Sequence, residues 1–125
     1  MSESIIKNKS FHFTIRIVKL YKFLLENKKE YVLSKQVLRS GTAIGALVRE
    51  AQNAESNAHF IHKLGVAQKE NDDTLYWLEL LFETEYLDEK EFISMQKDSI
   101  ELLKMIRSAI ITSKNKVNQA VRKNS

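Results

Sequence analysis

The sequence predicts an all-α protein, an up-down-up-down antiparallel four-helix bundle, on three observations. Apolar residues recur at steps of three and four along most of the chain, the period of a helix with one buried face. Proline is absent and only three glycines occur, Gly41, Gly45 and Gly65. All three lie inside periodic segments, which leaves an all-β fold almost without turn chemistry. The polar breaks between periodic segments are short, and short connections make neighbouring helices antiparallel. At 125 residues the chain reads as one domain with a sizeable core. Residues 1–111 make the bundle and residues 112–125 a basic, mobile tail.

The first helix is expected from about Ser10, a candidate cap, to Asn27. One arc holds Phe11, Phe13, Ile17, Val18, Leu20, Tyr21, Leu24 and Leu25, while Ile15 and Phe23 fall on the polar side. A helix facing a single core needs an apolar stripe of only about 100°. The surplus points to a second buried face, a subunit interface. The second helix runs from Ser34, a candidate N-cap, to Asn53 or beyond. Its seam falls at 37, 41, 44, 48 and 51, with Gly45 four residues after Gly41. Each glycine costs a helix interior about 1 kcal/mol against alanine, so two of them imply another backbone packed very close. A turn at Ser40-Gly41-Thr42 is the alternative, but the apolar rhythm passes through Gly41 unbroken.

The third helix is expected from about Ser56 to Tyr86. Its seam reads Phe60, Leu64, Ala67, Asn71, Thr74, Leu78 and Leu81, with two polar residues in the middle. Trp77 lies at the edge of this stripe among acids, which suits a half-wet interface position better than a base-stacking platform. Asp88 opens the fourth helix, and Glu91 three residues later approximates a capping box. Beyond Thr112 the apolar rhythm fades and the helix is expected to fray.

Particular residues carry a resemblance to a known family. Leu38-Arg39-Ser40-Gly41-Thr42, Ile44-Gly45-Ala46 and Arg49-Glu50-Ala51 form one block. Phe60, Lys63-Leu64, Ala67-Gln68-Lys69-Glu70 and Thr74 through Leu81 form a second, with Tyr31 through Lys35 ahead of both. In order and separation these resemble the small four-helix-bundle proteins encoded by intervening sequences inside bacterial 23S rRNA genes. The chain departs from that pattern at Ala43, Leu47 and Asp73, where the family commonly has Ser, Asn and Glu. The resemblance implies a homo-oligomer. Related accessory proteins of diversity-generating retroelements form barrel-shaped pentamers that bind a reverse transcriptase and nucleic acid, so it implies a pentamer here.

Charge is segregated along the chain. Residues 1–49 hold ten Lys/Arg and three acids, residues 50–101 four and thirteen, and residues 102–125 six and none. Such polarity suits a surface facing a polyanion, complementary faces in an oligomer, or both. The candidates for phosphate contact are Arg16, Lys19 and Lys22 on the first helix and Lys35, Arg39 and Arg49 on the second. Lys114, Lys116, Arg122 and Lys123 follow in the tail. Arg49 beside Glu50 equally suits a structural ion pair.

Catalytic signals are absent. No Walker loop, nucleophile elbow or cysteine occurs. Glu-x-x-His, which a di-metal bundle requires, is missing. His59 and His62 share a face near Glu55 without a third ligand, and His12 and the pair Asp72-Asp73 read as solvated. No enzyme activity, metal or cofactor is expected. Without a signal segment or an apolar run of about 18 residues, the chain reads as cytoplasmic, with no membrane association. The expectation is a non-enzymatic oligomeric scaffold that binds structured RNA, such as rRNA, through a basic surface and tail. The alternative is a protein-protein adaptor ring that docks a partner protein.

Overall fold

The computed structural model of the chain describes residues 2–123. They form four helices, α1 (Ser2–Lys28), α2 (Leu33–Gln52), α3 (Asn57–Glu83) and α4 (Glu89–Lys123), with no strand among the described residues. Contacts between the helices give the topology. Ile17 of α1 meets Gly41 of α2, and Thr14 and Ser10 meet Gly45, so rising numbers on α1 face falling numbers on α2. The pairs Arg39–Glu70 and Glu50–Lys63 run oppositely on α2 and α3. Asn71 with Ser99, and Phe82 stacked on Phe92, do the same for α3 and α4. Each helix neighbours the next and α4 closes against α1, while the diagonal pairs do not approach. The result is an up-down-up-down bundle.

All four helices bury alternating steps of three and four residues. On α1 the buried positions are Ile6, Ser10, Phe13, Ile17, Leu20 and Leu24. On α2 they include Val37, Gly41, Ile44, Val48 and Ala51, and on α3 Leu64, Ala67, Asn71, Thr74, Leu78 and Leu81. This spacing keeps one stripe of each helix turned to a common axis, where the core lies. Phe11, on the over-wide apolar arc of the first helix, is 50% exposed within the chain. It sits on the far side of α1 from the buried series, next to the α2 surface.

The middle of the core is polar. Ser40, Asn71, Thr74 and Ser99 are fully buried. Thr74 donates to the Ser40 hydroxyl at 2.9 Å, and Asn71 donates to the Ser99 carbonyl at 3.2 Å while its own carbonyl accepts from the Ser99 hydroxyl. Among the described residues no buried side-chain polar atom lacks a partner. Burial therefore leaves no unmet desolvation cost here.

Helix ends differ from expectation in instructive ways. α1 begins at Ser2, and Ser10 lies inside it, donating to the Lys7 carbonyl. Ser34 is likewise inside α2, buried, and donates to the Glu30 carbonyl. The first N–H groups of α2 are taken by the Glu30 carboxylate, which accepts from Val32, Leu33 and Ser34 at 3.0, 2.9 and 2.7 Å. Burial alone would raise the Glu30 carboxyl, but the donors from Leu33, Ser34 and Val32 outweigh it and hold the group below its ordinary value. Ser56 caps α3 by accepting from His59 N–H, and Asp88 accepts from Glu91 N–H at the start of α4.

The frayed tail expected after Thr112 is a helix in the structure. α4 continues to Lys123, because a run of Lys, Asn, Gln, Ala, Val and Arg without Gly or Pro can propagate a helix that packing has already nucleated. What changes there is burial, since Ser113 is the last buried residue and all of 114–123 is exposed. Met1, Asn124 and Ser125, the last two belonging to the expected tail, lie outside the described residues.

Candidate nucleic-acid interface

The ten candidate cations divide by what they face. Arg16 is partly buried between α1 and α4, 2.7 Å from Asp98 and 3.3 Å from Glu91, and its guanidinium also donates to the Ser94 carbonyl. Lys9, two turns earlier, reaches Glu101 at 2.8 Å and Asp98 at 3.5 Å. Burial would push the Asp98 carboxyl up, but the Arg16 hydrogen bond and the Lys9 and Arg16 charges outweigh it and hold it below the ordinary range. The hydrogen bond to Glu101 raises Lys9. This group joins α1 to α4, so Arg16 is held inside the molecule.

Arg39 is also engaged. It donates to the buried Glu70 carboxylate at 2.8 Å, and Lys69 approaches the same group at 3.4 Å. A buried carboxylate needs such a partner, because an unpaired charge away from water is costly. Arg49 lies over the exposed Phe11 ring, 5.0 Å from its centroid, and the neighbouring Glu50 pairs with Lys63 on α3 at 3.2 Å. The ion pair considered for Arg49 therefore belongs to Glu50. Of the two buried acids that organise their surroundings, Glu70 lies in a block that carries the family resemblance, whereas Glu30 has no sequence signal of its own.

The remaining cations face outward. Lys19 and Lys22 on α1 and Lys35 on α2 are exposed and in no ion pair with another described residue. The antiparallel pairing of α1 with α2 puts Lys22 and Lys35 at the same level of the bundle. Lys114, Lys116, Arg122 and Lys123 lie on the exposed end of α4, too far along the bundle to join that group. Nine of the ten candidates thus resolve into three exposed lysines on α1 and α2, four cations on the α4 extension and two arginines paired with the chain's own acids, while Arg49 lies over Phe11. Between the basic positions α1 also exposes Ile15 at 38% and Phe23 at 40%.

Gly41 and Gly45 sit where α2 crosses α1. A Cβ on Gly41 would come within 2.7–2.8 Å of three Ile17 side-chain carbons, and one on Gly45 within 2.8 Å of the Thr14 hydroxyl. Gly65 faces open space. A cleft of about 510 Å³ opens at the end of the bundle where α4 departs, walled by Ile6, Val48, Phe60, Leu64 and Met105 with Lys104 and Lys116 at its edge. Among the described residues no group of three or more His, Asp or Glu is placed to hold a metal ion. Among the same residues no helix is long and apolar enough to cross a membrane.

Comparison with known proteins agrees with this architecture. The family model described as 23S rRNA-intervening sequence protein matches residues 2–108. The chain belongs to that family. A solved structure from Bacteroides thetaiotaomicron VPI-5482, described as a protein with unknown function from the S23 ribosomal protein family, is similar at 52% identity and a TM-score of 0.87. The match covers 88% of this chain and 98% of that one. No curated protein sequence matches the chain. In this family member the matched segment ends at Ser108, whereas α4 continues to Lys123. The basic extension therefore lies outside the matched segment.

Proposed function

We propose that this chain is a non-enzymatic homo-oligomeric scaffold of the bacterial cytoplasm that binds structured RNA through its outward cations. The observation that carries this reading is the sorting of charge. Cations facing the protein's own carboxylates are neutralised in place, while Lys19 and Lys22 on α1 and Lys35 on α2 stay at solvent and the α4 extension adds further positive charge. An exposed, unpaired set of lysines on rigid helices recognises phosphate and shape rather than base sequence. The family's association with a 23S rRNA intervening sequence points to rRNA as the first ligand to try. Self-association is supported by Phe11, Ile15 and Phe23, which leave α1 with an apolar face that its own bundle does not cover. By resemblance the oligomer is a pentamer.

That same face favours a second reading, an adaptor that docks a partner protein without nucleic acid. Ionic strength separates the two. Binding of a labelled structured rRNA fragment is measured across a salt series for the full chain, Lys19→Glu/Lys22→Glu/Lys35→Glu and a truncation after Ser113. Phosphate binding falls steeply with salt and is lost in the triple variant. Absence of binding at low salt by a well-folded oligomer would remove the RNA reading and leave the adaptor.

A further inference from the structure

α4 leaves the bundle with its packing stripe unfinished. Its buried positions run through Ser99, Leu102, Ile106, Ile110 and Ser113. The next members of that series are Val117 and Val121, which are only partly covered. Val117 is 37% exposed and Val121 63%. Lys114, Lys116 and Lys123 flank this stripe, all at solvent and in no ion pair with another described residue. The extension is a short amphipathic helix, apolar on one side and cationic around it.

The opposite end of the bundle has the complementary shape and charge. A notch of about 330 Å³ opens where α1 ends and α3 turns into α4. Phe23, Phe82, Tyr86 and Leu87 wall it, and Glu85, Asp88 and Glu89 rim it. The chain's own Lys28 ammonium lies 5.9 Å from the Phe23 ring centroid, so this aromatic edge already draws a cation. Carboxylates and ring faces favour the same kind of guest, a lysine or arginine carried on an apolar stem.

Notch and extension cannot meet within one molecule. A 35-residue helix is about 50 Å long, and the two features lie at its two ends. Charge then selects the partner surface. Two extensions brought together would set lysines against lysines, whereas the notch, lined by three carboxylates and the single cation Lys28, is net acidic. We propose that the α4 extension of one copy docks head to tail in the acid-rimmed notch of a second copy, with Val117 and Val121 against the aromatic walls and the flanking lysines against the rim. Such a contact is heterologous, so it repeats from copy to copy and closes into a ring or runs on as a chain. It shares only Phe23 with the exposed apolar residues of α1, and it does not depend on RNA binding.

Charge reversal at each end tests the contact, with mass followed by sedimentation velocity on nuclease-treated full-length protein at low salt. The extension set is Lys114→Glu/Lys116→Glu/Lys123→Glu and the notch set is Glu85→Lys/Glu89→Lys; all five positions are exposed, and far-UV circular dichroism checks that helicity is unchanged. Each set alone is expected to weaken head-to-tail association at least tenfold. An equimolar mixture of the two sets, and a single chain carrying all five substitutions, are expected to reassociate, because reversed extensions then face reversed notches. Side-by-side assembly through α1 is carried unchanged through the series. Unchanged mass in both single-end sets would overturn the proposal, as would failure of both the mixture and the five-substitution chain to reassociate. Loss of RNA binding without loss of mass in the extension set would overturn it too, and would assign the extension to the polyanion.

Discussion

Helix α1 is held on two sides by different physics. Against α2 the contact is steric: Gly41 and Gly45 let the backbone of α2 approach until Ile17 and Thr14 occupy the space a side chain would take. Against α4 the backbones stay further apart, and Lys9 and Arg16 span the gap to Glu91, Asp98 and Glu101. The steric seam is insensitive to salt and pH but, at Gly41, intolerant of a single added carbon. The ionic seam accepts changes of shape but responds to solution conditions. One helix therefore couples a rigid contact to an adjustable one.

The steric seam should break most readily. Gly41→Ala gains about 1 kcal/mol of helix propensity yet places its methyl against buried Ile17, and overpacking of this kind costs about 1–3 kcal/mol. A net loss of stability is expected in urea unfolding; a rise in the midpoint would show that the seam relaxes freely. The ionic seam comes next. Asp98→Asn is expected to cost about 1 kcal/mol near neutral pH at low salt, with the difference from the parent shrinking as salt is added.

Proton linkage adds a signature to the same variant. The Asp98 carboxyl is held below its ordinary value in the folded state, so its contribution is present above the unfolded value and lost as pH falls through the folded one. Below about pH 4 the parent and Asp98→Asn stabilities should therefore begin to converge. Lys9 works in the other direction: its raised value gives stability that is complete below the ordinary lysine range and lost as pH rises through the folded value. An unfolding-midpoint profile that stays parallel for the two proteins from neutral pH into acid would rule out the bridging role of Asp98.

Gly65 supplies the control for the glycine comparison. With open space beyond its Cβ direction, Gly65→Ala should raise stability by about 0.5–1 kcal/mol, the sign opposite to Gly41→Ala. Gly45→Ala should fall near zero, since the Thr14 hydroxyl can rotate away and the propensity gain offsets the loss of its hydrogen bond to Ser10. Thermal melts of the three alanine variants side by side would show the ordering, and equal shifts would mean that approach distance does not govern these sites.

Much of the fold was legible because it is written in local periodicity. The periodic seams with steps of three and four, the cap Asp88, the start of the third helix near Ser56 and the uninterrupted rhythm through Gly41 all survive in the structure. Positions governed by distant partners were not legible. Ser10 and Ser34 look like caps in sequence, yet α1 starts earlier and a carboxylate three residues upstream takes the amides at the start of α2. Arg16 and Arg39 look like unpaired cations until α4 and α3 supply Asp98 and Glu70, with Arg39 itself still at the surface. A run of charge records composition, but which charges remain at solvent is decided by helix pairing. The series through Ser113, Val117 and Val121 was hidden for a related reason: a serine in the stripe masks its continuity.

The hydroxyl and amide layer at Ser40, Asn71, Thr74 and Ser99 carries a consequence for assembly of the chain. Seams built on repeats of seven can interlock almost as well when one helix slides by seven residues. Sliding α4 that far would replace Ser99 beside Asn71 with Phe92 or Ile106, stranding the amide in hydrocarbon at a cost of several kcal/mol. The layer works like the notch of a key: a misaligned bundle can collapse, but it cannot settle.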